Sequence, residues 1–233
     1  MNNLKSIRKQ IRKLRARRDR QIALYKQTAK AGHGKKAFSI SKEIKLLRGK
    51  LLSLITPKDI SPKGVKFISD WEGFLPKPYN DPVGYATVGF GYLLGYRPVL
   101  PADKKAIWVK GQKIPGQLTK KEGRDLLASQ LKKIYEPTVK KLFSKGGPLY
   151  GKFTQNRYDA LVSFAYNLGP ASLTGIPGFE TMGRAIKSGD IQAIGDAMLL
   201  YDKAGGQALL GLTRRRKAER RVFLDGNYSI DDI

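Results

Sequence analysis

The chain has 233 residues and a formal net charge of +26 at pH 7, with 45 Lys or Arg against 19 Asp or Glu. It has no cysteine, which excludes disulfides and thiolate metal sites, and we expect its single histidine, His33, to be a solvated loop residue, so no metal or cofactor is predicted. Because no stretch approaches the roughly 18 consecutive apolar residues of a membrane helix, we expect neither a transmembrane segment nor a signal peptide.

The first part of the chain is strongly basic and predicts two helices. Residues 1–64 hold 19 Lys or Arg and three acids, a net charge of +16, which leaves +10 for the remainder. Apolar residues at helical spacing predict one helix over about residues 3–30, ended by Gly32 and Gly34, and another over about residues 41–55. The apolar stripes are Leu4, Ile7, Ile11 and Leu14 in the first helix and Ile44, Leu47, Leu51 and Leu54 in the second.

We predict that residues 1–56 form a basic helical hairpin, that residues 57–64 are a linker and that residues 65–233 form a separate domain. The two stripes can bury each other, mediate dimerisation or lie on an anionic membrane. Such a charge attracts polyanions in general, so anionic polymers, anionic lipids and nucleic acid are all candidate partners. A role in assembly and a solvated extension without a ligand are the alternatives.

A short helix is predicted to place Glu72 near its carboxyl end. Ser61 is the expected N-cap and Pro62 the first helical residue, and Gly73 is the expected stop after Glu72 in the last turn. The negative end of the helix dipole disfavours an ionised carboxylate there, and burial beside Trp71 has the same effect. Both effects favour a protonated Glu72, as a general acid requires.

The residues that follow predict a turn and a glycine-rich strand. Asp81 lies in YNDPVGY, a turn in which its carboxylate is expected to stay ionised. Residues 85–92 alternate like one strand, with Tyr85, Thr87, Gly89 and Gly91 on one face. Glycines on that face indicate close approach by a ligand. Glu72, Asp81 and Thr87 thus supply the two carboxylates that glycosidic-bond hydrolysis requires and a hydroxyl that can hold water.

The run from Glu72 to Gly95 resembles the active-site segment of phage-type lysozymes, glycoside hydrolase family 24, in the spacing of Glu72, Asp81 and Thr87 and in GFGYLLG at 89–95. FTQNRYDALVSFAYNLG (153–169) and GLTRRRKAERRVFLDG (211–226) resemble two further segments of that family. The resemblance covers about residues 62–228 and implies an α+β, lysozyme-like fold. In that fold a small sheet lobe and a larger helical lobe flank a cleft.

The resemblance also implies a function and a set of roles. The expected reaction is cleavage of the β-1,4 bond between N-acetylmuramic acid and N-acetylglucosamine in peptidoglycan, with inversion. Glu72 is the implied proton donor, Asp81 the partner carboxylate and Thr87 the third catalytic residue. Substrate contacts are implied for Leu93, Tyr166, Asn167, Tyr85 and Thr181. Arg215 is the arginine we expect to pair with Glu72, although Arg214 and Arg216 are its neighbours.

The implied biological setting is a phage endolysin that lyses the host, held in the host cytoplasm until a holin-type lesion releases it to the wall. A virion-borne lysozyme that opens the wall is a close alternative. The rival from another class is a basic nucleic-acid-binding protein, which explains the charge but not the Glu72, Asp81 and Thr87 constellation. Because no zinc-finger or RNA-binding aromatic signature is present, no specific nucleic acid is expected.

Overall fold

The computed structural model describes residues 2–55, 59–109 and 112–231, and the chain divides into two compact units, 1–56 and 57–233. The helices are α1 (Asn2–Thr28), α2 (Ala31–Ile55), α3 (Pro62–Trp71), α4 (Pro101–Lys105), α5 (Lys120–Gln130), α6 (Glu136–Phe143), α7 (Gln155–Leu168), α8 (Glu180–Ser188), α9 (Ile191–Met198) and α10 (Leu210–Asp225). A π-helical turn, Leu131–Tyr135, joins α5 to α6, and a 3-10 turn, Pro170–Leu173, follows α7.

The strands form three small antiparallel sheets. They are β1 (Leu75–Asn80), β2 (Ala86–Gly89), β3 (Tyr92–Gly95), β4 (Ala106–Val109), β5 (Gln112–Pro115), β6 (Lys203–Ala204) and β7 (Gln207–Ala208). The first three form one sheet in the order β1-β2-β3, and the other four form two hairpins. Helices therefore dominate the unit 57–233 and the strands contribute a small part of it, as an α+β prediction requires.

In the first unit, α1 and α2 form an antiparallel hairpin whose apolar stripes bury each other. Ile7 and Ile11 of α1 pack with Ile40 and Ile44 of α2, and all four side chains are buried. Leu14, Leu47 and Leu51 extend this seam. The side chains of Leu4 and Leu54, which were expected to continue the stripes, lie outside the described residues.

The second helix begins about ten residues earlier than predicted. Gly32 and Gly34 lie inside α2, because glycine weakens a helix without forbidding it. The chain reverses at Ala29, whose φ of 50° is left-handed. A side chain at position 34 would make ordinary van der Waals contact with the ring of Tyr25, so packing does not require glycine there. His33 is also not a loop residue: it is half-buried in α2, with Nδ1 3.0 Å from Oε1 of Gln21.

The predicted linker over residues 57–64 is too long at its carboxyl end. Residues 56–58 lie outside the described residues, but Ile60 is buried in the core and α3 starts at Pro62. The Ser61 hydroxyl accepts from the backbone N–H of Gly64 and donates to the carboxylate of Asp159. Ser61 therefore both caps α3 and ties it to α7, so the second unit begins before residue 65.

The predicted single strand over residues 85–92 is instead two strands and a tight turn. Gly89 and Gly91 have φ of 69° and 82°, and they let β2 reverse into β3 around Phe90. Period-2 alternation does not distinguish a continuous strand from a hairpin whose turn contains glycines. All four residues of β2 are buried, so the Thr87 side chain is little exposed.

The helical core is built on α7, in which residues 158–165 are all buried. The helix α10 packs along it and contributes Val222 and Phe223. Leu126, Leu127 and Leu131 are buried as predicted. The predicted capping box at the start of α5 is present, since Thr119 Oγ1 accepts from the backbone N–H of Glu122 and Glu122 accepts from that of Thr119.

Two tyrosines that pack in this core, Tyr158 and Tyr228, make the stability of the fold depend on pH in the alkaline range. Burial, and then hydrogen bonds to Glu136 and Asp159, raise the pKa of Tyr158 and of Tyr228 above the ordinary value of about 10. Their contribution to folding is therefore complete below about pH 10 and is lost as pH rises through their folded-state pKa values. Tyrosinate absorbance at pH 11 should be incomplete in the folded chain and should rise on unfolding. If every tyrosine of the folded chain absorbed as tyrosinate at pH 11, the raised pKa values would be contradicted.

Candidate active site

Glu72 lies immediately after α3 as its C-cap, with an extended ψ of 142°, and not within the last turn as predicted. Its Oε1 accepts from Arg215 Nη1 of α10 at 2.7 Å. The Arg215 side chain is 6% exposed and the Glu72 side chain is 27% exposed. A buried guanidinium thus holds a carboxyl group that remains reachable from solvent. The expectation that Glu72 is protonated stays a prediction.

A fully buried carboxylate, Glu219, organises the arginines behind Glu72. Its Oε1 lies 3.3 Å from Arg215 Nε, and its Oε2 lies 3.0 Å from Arg216 Nε. Ser163 of α7 donates to Glu219 Oε1 at 2.7 Å. Arg216 in turn donates to Asn167 Oδ1 at 2.8 Å. One buried acid therefore fixes both the arginine that contacts Glu72 and the arginine that contacts Asn167.

The backbone of Tyr85 links Asp81 to Thr87. The Tyr85 carbonyl accepts from the backbone N–H of Asp81 at 2.9 Å and from Thr87 Oγ1 at 3.1 Å. The Tyr85 N–H donates to Asp81 Oδ1 at 2.8 Å, and the Val83 N–H donates to the same oxygen at 3.0 Å. The turn thus fixes the carboxylate and the hydroxyl relative to each other through the backbone of one residue, Tyr85.

Sheet register places two further side chains beside Thr87. Tyr79 of β1 and Leu93 of β3 are its direct cross-strand partners, so the three side chains share one face of the sheet. Burial, and then the negative charges of Asp81 and Glu72, raise the pKa of Tyr79. Tyr79 is therefore within electrostatic reach of both carboxylates.

The end of α7 approaches the same region from the helical lobe. Tyr166 donates to the carbonyl of Phe90, in the turn between β2 and β3, at 2.9 Å. Its ring packs edge-on against Tyr135, with centroids 5.2 Å apart. Burial and then the charge of Glu72 raise the pKa of Tyr166 and of Tyr135. Tyr166 therefore joins the two lobes close to Glu72.

The structure brings most of the predicted residues together but leaves Thr181 apart. Glu72, Arg215 and Asn167 are connected through Glu219 and Arg216, and Tyr166 precedes Asn167 in α7. Thr87 and Leu93 lie on the sheet, and Asp81 and Tyr85 lie in the turn between β1 and β2. Thr181, in the first turn of α8, accepts from Arg184 and borders a different depression with Asp196 and Leu200. The Tyr85 ring is 37% exposed and packs edge-on against Tyr96.

Sequence reasoning missed Tyr79, Tyr135, Arg216 and Glu219. The alternation of residues in β1 bears on Tyr79, and the helical spacing of Ser163, Arg216 and Glu219 bears on the buried residues. Neither pattern identifies which side chain each of them contacts.

Glu72 also borders a depression of about 530 Å³. Lys66, Asp70, Lys120 and Arg124 line it, together with residues 228–231. None of the other predicted site residues lines this depression, but Phe90 of the turn between β2 and β3 does. Within the described parts of the chain, no group of three or more His, Asp or Glu is arranged to hold a metal ion, and no helix is long and apolar enough to span a membrane.

Comparison with known proteins agrees with this geometry. The family model for phage lysozyme matches residues 69–219. The endolysin of Bacillus phage B103 is 29% identical over 171 residues, which are 72% of this chain and 55% of that protein. The endolysin of Salmonella phage P22 is 32% identical over 165 residues, which are 71% of this chain and 97% of that protein. This chain therefore matches about half of one relative and nearly all of the other.

The fold comparison leads to the same family. The crystal structure of a P22 lysozyme mutant matches with a TM-score of 0.52 and 27% identity, over 72% of this chain and 99% of that one. This likeness confirms the predicted lysozyme-like fold. The family match lies entirely outside residues 1–56, so it says nothing about the basic hairpin. The chain belongs to the phage lysozyme family and is a glycoside hydrolase of the lysozyme type.

Proposed function

We propose that the chain is an N-acetylmuramidase that cleaves the β-1,4 bond between N-acetylmuramic acid and N-acetylglucosamine, and that it acts as a phage endolysin. The family gives peptidoglycan as the substrate class. The observation that most strongly supports the proposal is the solvent-reachable Glu72 carboxyl held by the buried Arg215 guanidinium. A carboxyl fixed in this way can meet a glycosidic oxygen at one defined position.

In the proposed reaction, Glu72 donates a proton to the glycosidic oxygen as its bond to the anomeric carbon breaks. A water molecule attacks that carbon from the opposite face and transfers a proton to Asp81, so the anomeric configuration inverts. Asp81 Oδ1 already accepts two backbone N–H bonds, which leaves Oδ2 to orient the water.

Substrate contacts are proposed on both sides of Glu72. Leu93 shares the sheet face of Thr87 and offers an apolar surface to a sugar ring. Asn167 is half-buried at the end of α7, and its Oδ1 is occupied by Arg216, so its amide N–H₂ group is oriented to donate. Tyr166 supports the turn at Phe90, and Tyr85 is exposed enough to stack on sugar. A contact from Thr181 stays a prediction.

Substitutions of Thr87 test whether its hydroxyl holds the attacking water. Its hydroxyl donates to the Tyr85 carbonyl, so its oxygen lone pairs are left to accept from a water molecule. We expect Thr87→Val to lower kcat about 10- to 100-fold and Thr87→Ser to retain most activity, because only the second keeps the hydroxyl. Steady-state hydrolysis of soluble peptidoglycan fragments would measure both. Equal activities of the two variants would show that the hydroxyl has no catalytic role.

The bond and its stereochemistry are tested on the products. Purified peptidoglycan is digested with the native chain, the products are reduced with borohydride, and the reduced sugar is identified by mass spectrometry. Reduced muramic acid at the new ends supports a muramidase, whereas reduced glucosamine shows cleavage of the other glycosidic bond. Proton NMR of the first product, before mutarotation, shows whether the anomer has inverted. Retention would replace the water attack with a covalent intermediate.

We further propose that the enzyme accumulates in the host cytoplasm and reaches the wall through a holin-type lesion. This proposal is based on the name endolysin carried by the P22 relative. Inducing the chain with and without a holin should give abrupt lysis only when the holin is present. Finding the chain in purified virions and not in holin-dependent lysates would favour the virion-borne alternative.

A further inference from the structure

The outer face of α2 carries apolar side chains that the hairpin does not cover. Phe38 is 63% exposed and Leu46 is 74% exposed. The seam with α1 uses Ile40 and Ile44 of the same helix. At 100° per residue, Phe38 lies about 160° from Ile40 around the helix axis and Leu46 about 160° from Ile44. These two side chains therefore point away from α1, although large apolar residues usually help to build a core.

Lysines flank this apolar pair on the same face. Lys42 and Lys45 lie between Phe38 and Leu46 in the helix, and Lys42 Nζ lies 4.7 Å from the centroid of the Phe38 ring. Lys42, Lys45, Leu46, Gly49 and Lys50 together line one shallow apolar depression. Long lysine side chains place their methylenes on an apolar surface while the ammonium groups reach outward.

The charge of the hairpin determines which partner complements this face. Residues 1–56 contain 17 Lys or Arg and two acids, Asp19 and Glu43, a net charge of +15. Asp19 is paired with Arg18 at 2.6 Å, so it does not offset the other cations. A soluble polyanion would satisfy the lysines and arginines, but it would leave Phe38 and Leu46 in water. An anionic bilayer satisfies both, because its headgroups are negative and its interior accepts apolar side chains.

We propose that this face of α2 docks the protein on the surface of an anionic phospholipid bilayer. The helix lies parallel to the surface, with Phe38 and Leu46 about 12 Å apart along its axis and inserted below the headgroups. Lys42 and Lys45 reach back to the phosphates. This surface is additional to the proposed glycosidase site and does not depend on it.

The test is vesicle co-sedimentation with the full chain. Vesicles of phosphatidylcholine alone are compared with vesicles that contain phosphatidylglycerol, at low and high salt. The variant Phe38→Ser with Leu46→Ser removes the exposed apolar pair and retains every charge. The matched control, Ile176→Ser with Leu200→Ser, removes two exposed apolar side chains from the second unit. Circular dichroism verifies folding, and muropeptide release is measured for every variant.

We expect binding to anionic vesicles only, a roughly tenfold or larger loss of partitioning in the Phe38 and Leu46 variant, and no loss in the control. Muropeptide release from purified peptidoglycan should be unchanged in both, so a failure here is distinct from a failure of the proposed glycosidase. Equal vesicle binding by native chain and variant would overturn the proposal. So would the absence of vesicle binding by a chain that is retained by immobilised teichoic acid or DNA.

Discussion

Replacing Glu72 with glutamine is expected to lower the rate of muropeptide release by about 10²- to 10⁴-fold, the usual contribution of a positioned general acid. Glutamine has the shape of the glutamate side chain, and its carbonyl oxygen can still accept from Arg215, as Glu72 Oε1 does at 2.7 Å. What the variant lacks is a transferable proton. The loss should therefore appear in kcat, with little change in KM.

A matched control for this variant is Asp70→Asn, two residues earlier in the chain. Asp70 is paired with Lys66 at 2.6 Å on the surface of α3 and has no described contact with the arginines of α10. Surface pairs of this kind contribute little to stability, so activity and stability should both stay near the native values. If Glu72→Gln retained native kcat on purified peptidoglycan, Glu72 would not be the acid.

The agreement between sequence and structure depends on how locally each feature is determined. The helix that precedes Glu72, its Ser61 cap and the Asp81 turn were predicted from nearby residues, because caps and turns depend on a few neighbours. The segment around Gly89 and Gly91 was predicted as one strand, because alternation persists through a hairpin turn. Whether glycine continues a strand or reverses it depends on pairing with β1 and β3, which one segment does not reveal.

Long-range polar contacts were the least accessible from the sequence. Arg215 lies 143 positions from Glu72, and a run of three arginines gives no local reason why one of them should face the site. Glu219 and Ser163 meet because α7 and α10 pack together, and that packing depends on the whole core. The resemblance to a known family supplied the pairing of Arg215. It did not supply the acid that holds Arg215.

The second large expected effect is the loss of stability when Glu219 is replaced. In the variant Glu219→Gln, Arg215 and Arg216 lose the carboxylate that both contact, while their side chains stay almost wholly buried. Removing one member of a buried ion pair costs about 3–5 kcal/mol, because the remaining charge has no compensation. In a domain of this size the temperature of unfolding should fall by roughly 10 °C. Burial already lowers the pKa of Arg216, which shows how weakly its charge is solvated.

The same variant should also lower activity at temperatures where it remains folded. Arg215 would keep its bond to Glu72 but lose its second carboxylate, so the position of Glu72 would be less fixed. Arg216 would hold Asn167 less firmly, which should raise KM if Asn167 contacts sugar. A 1 Å misplacement can cost about 10²-fold in rate, so kcat is expected to fall although glutamine fills the same volume.

Glu136→Gln separates these two effects. Glu136 is also fully buried, and it accepts from Tyr158 at 2.6 Å and pairs with Lys140 at 3.0 Å, but it has no described contact with Arg215, Arg216 or Asn167. Both variants should lose stability, and only Glu219→Gln should lose kcat when each is assayed well below its own unfolding temperature. Equal kcat in the two variants would make Glu219 a purely structural acid. A selective loss would show that the buried carboxylate positions Glu72 through Arg215.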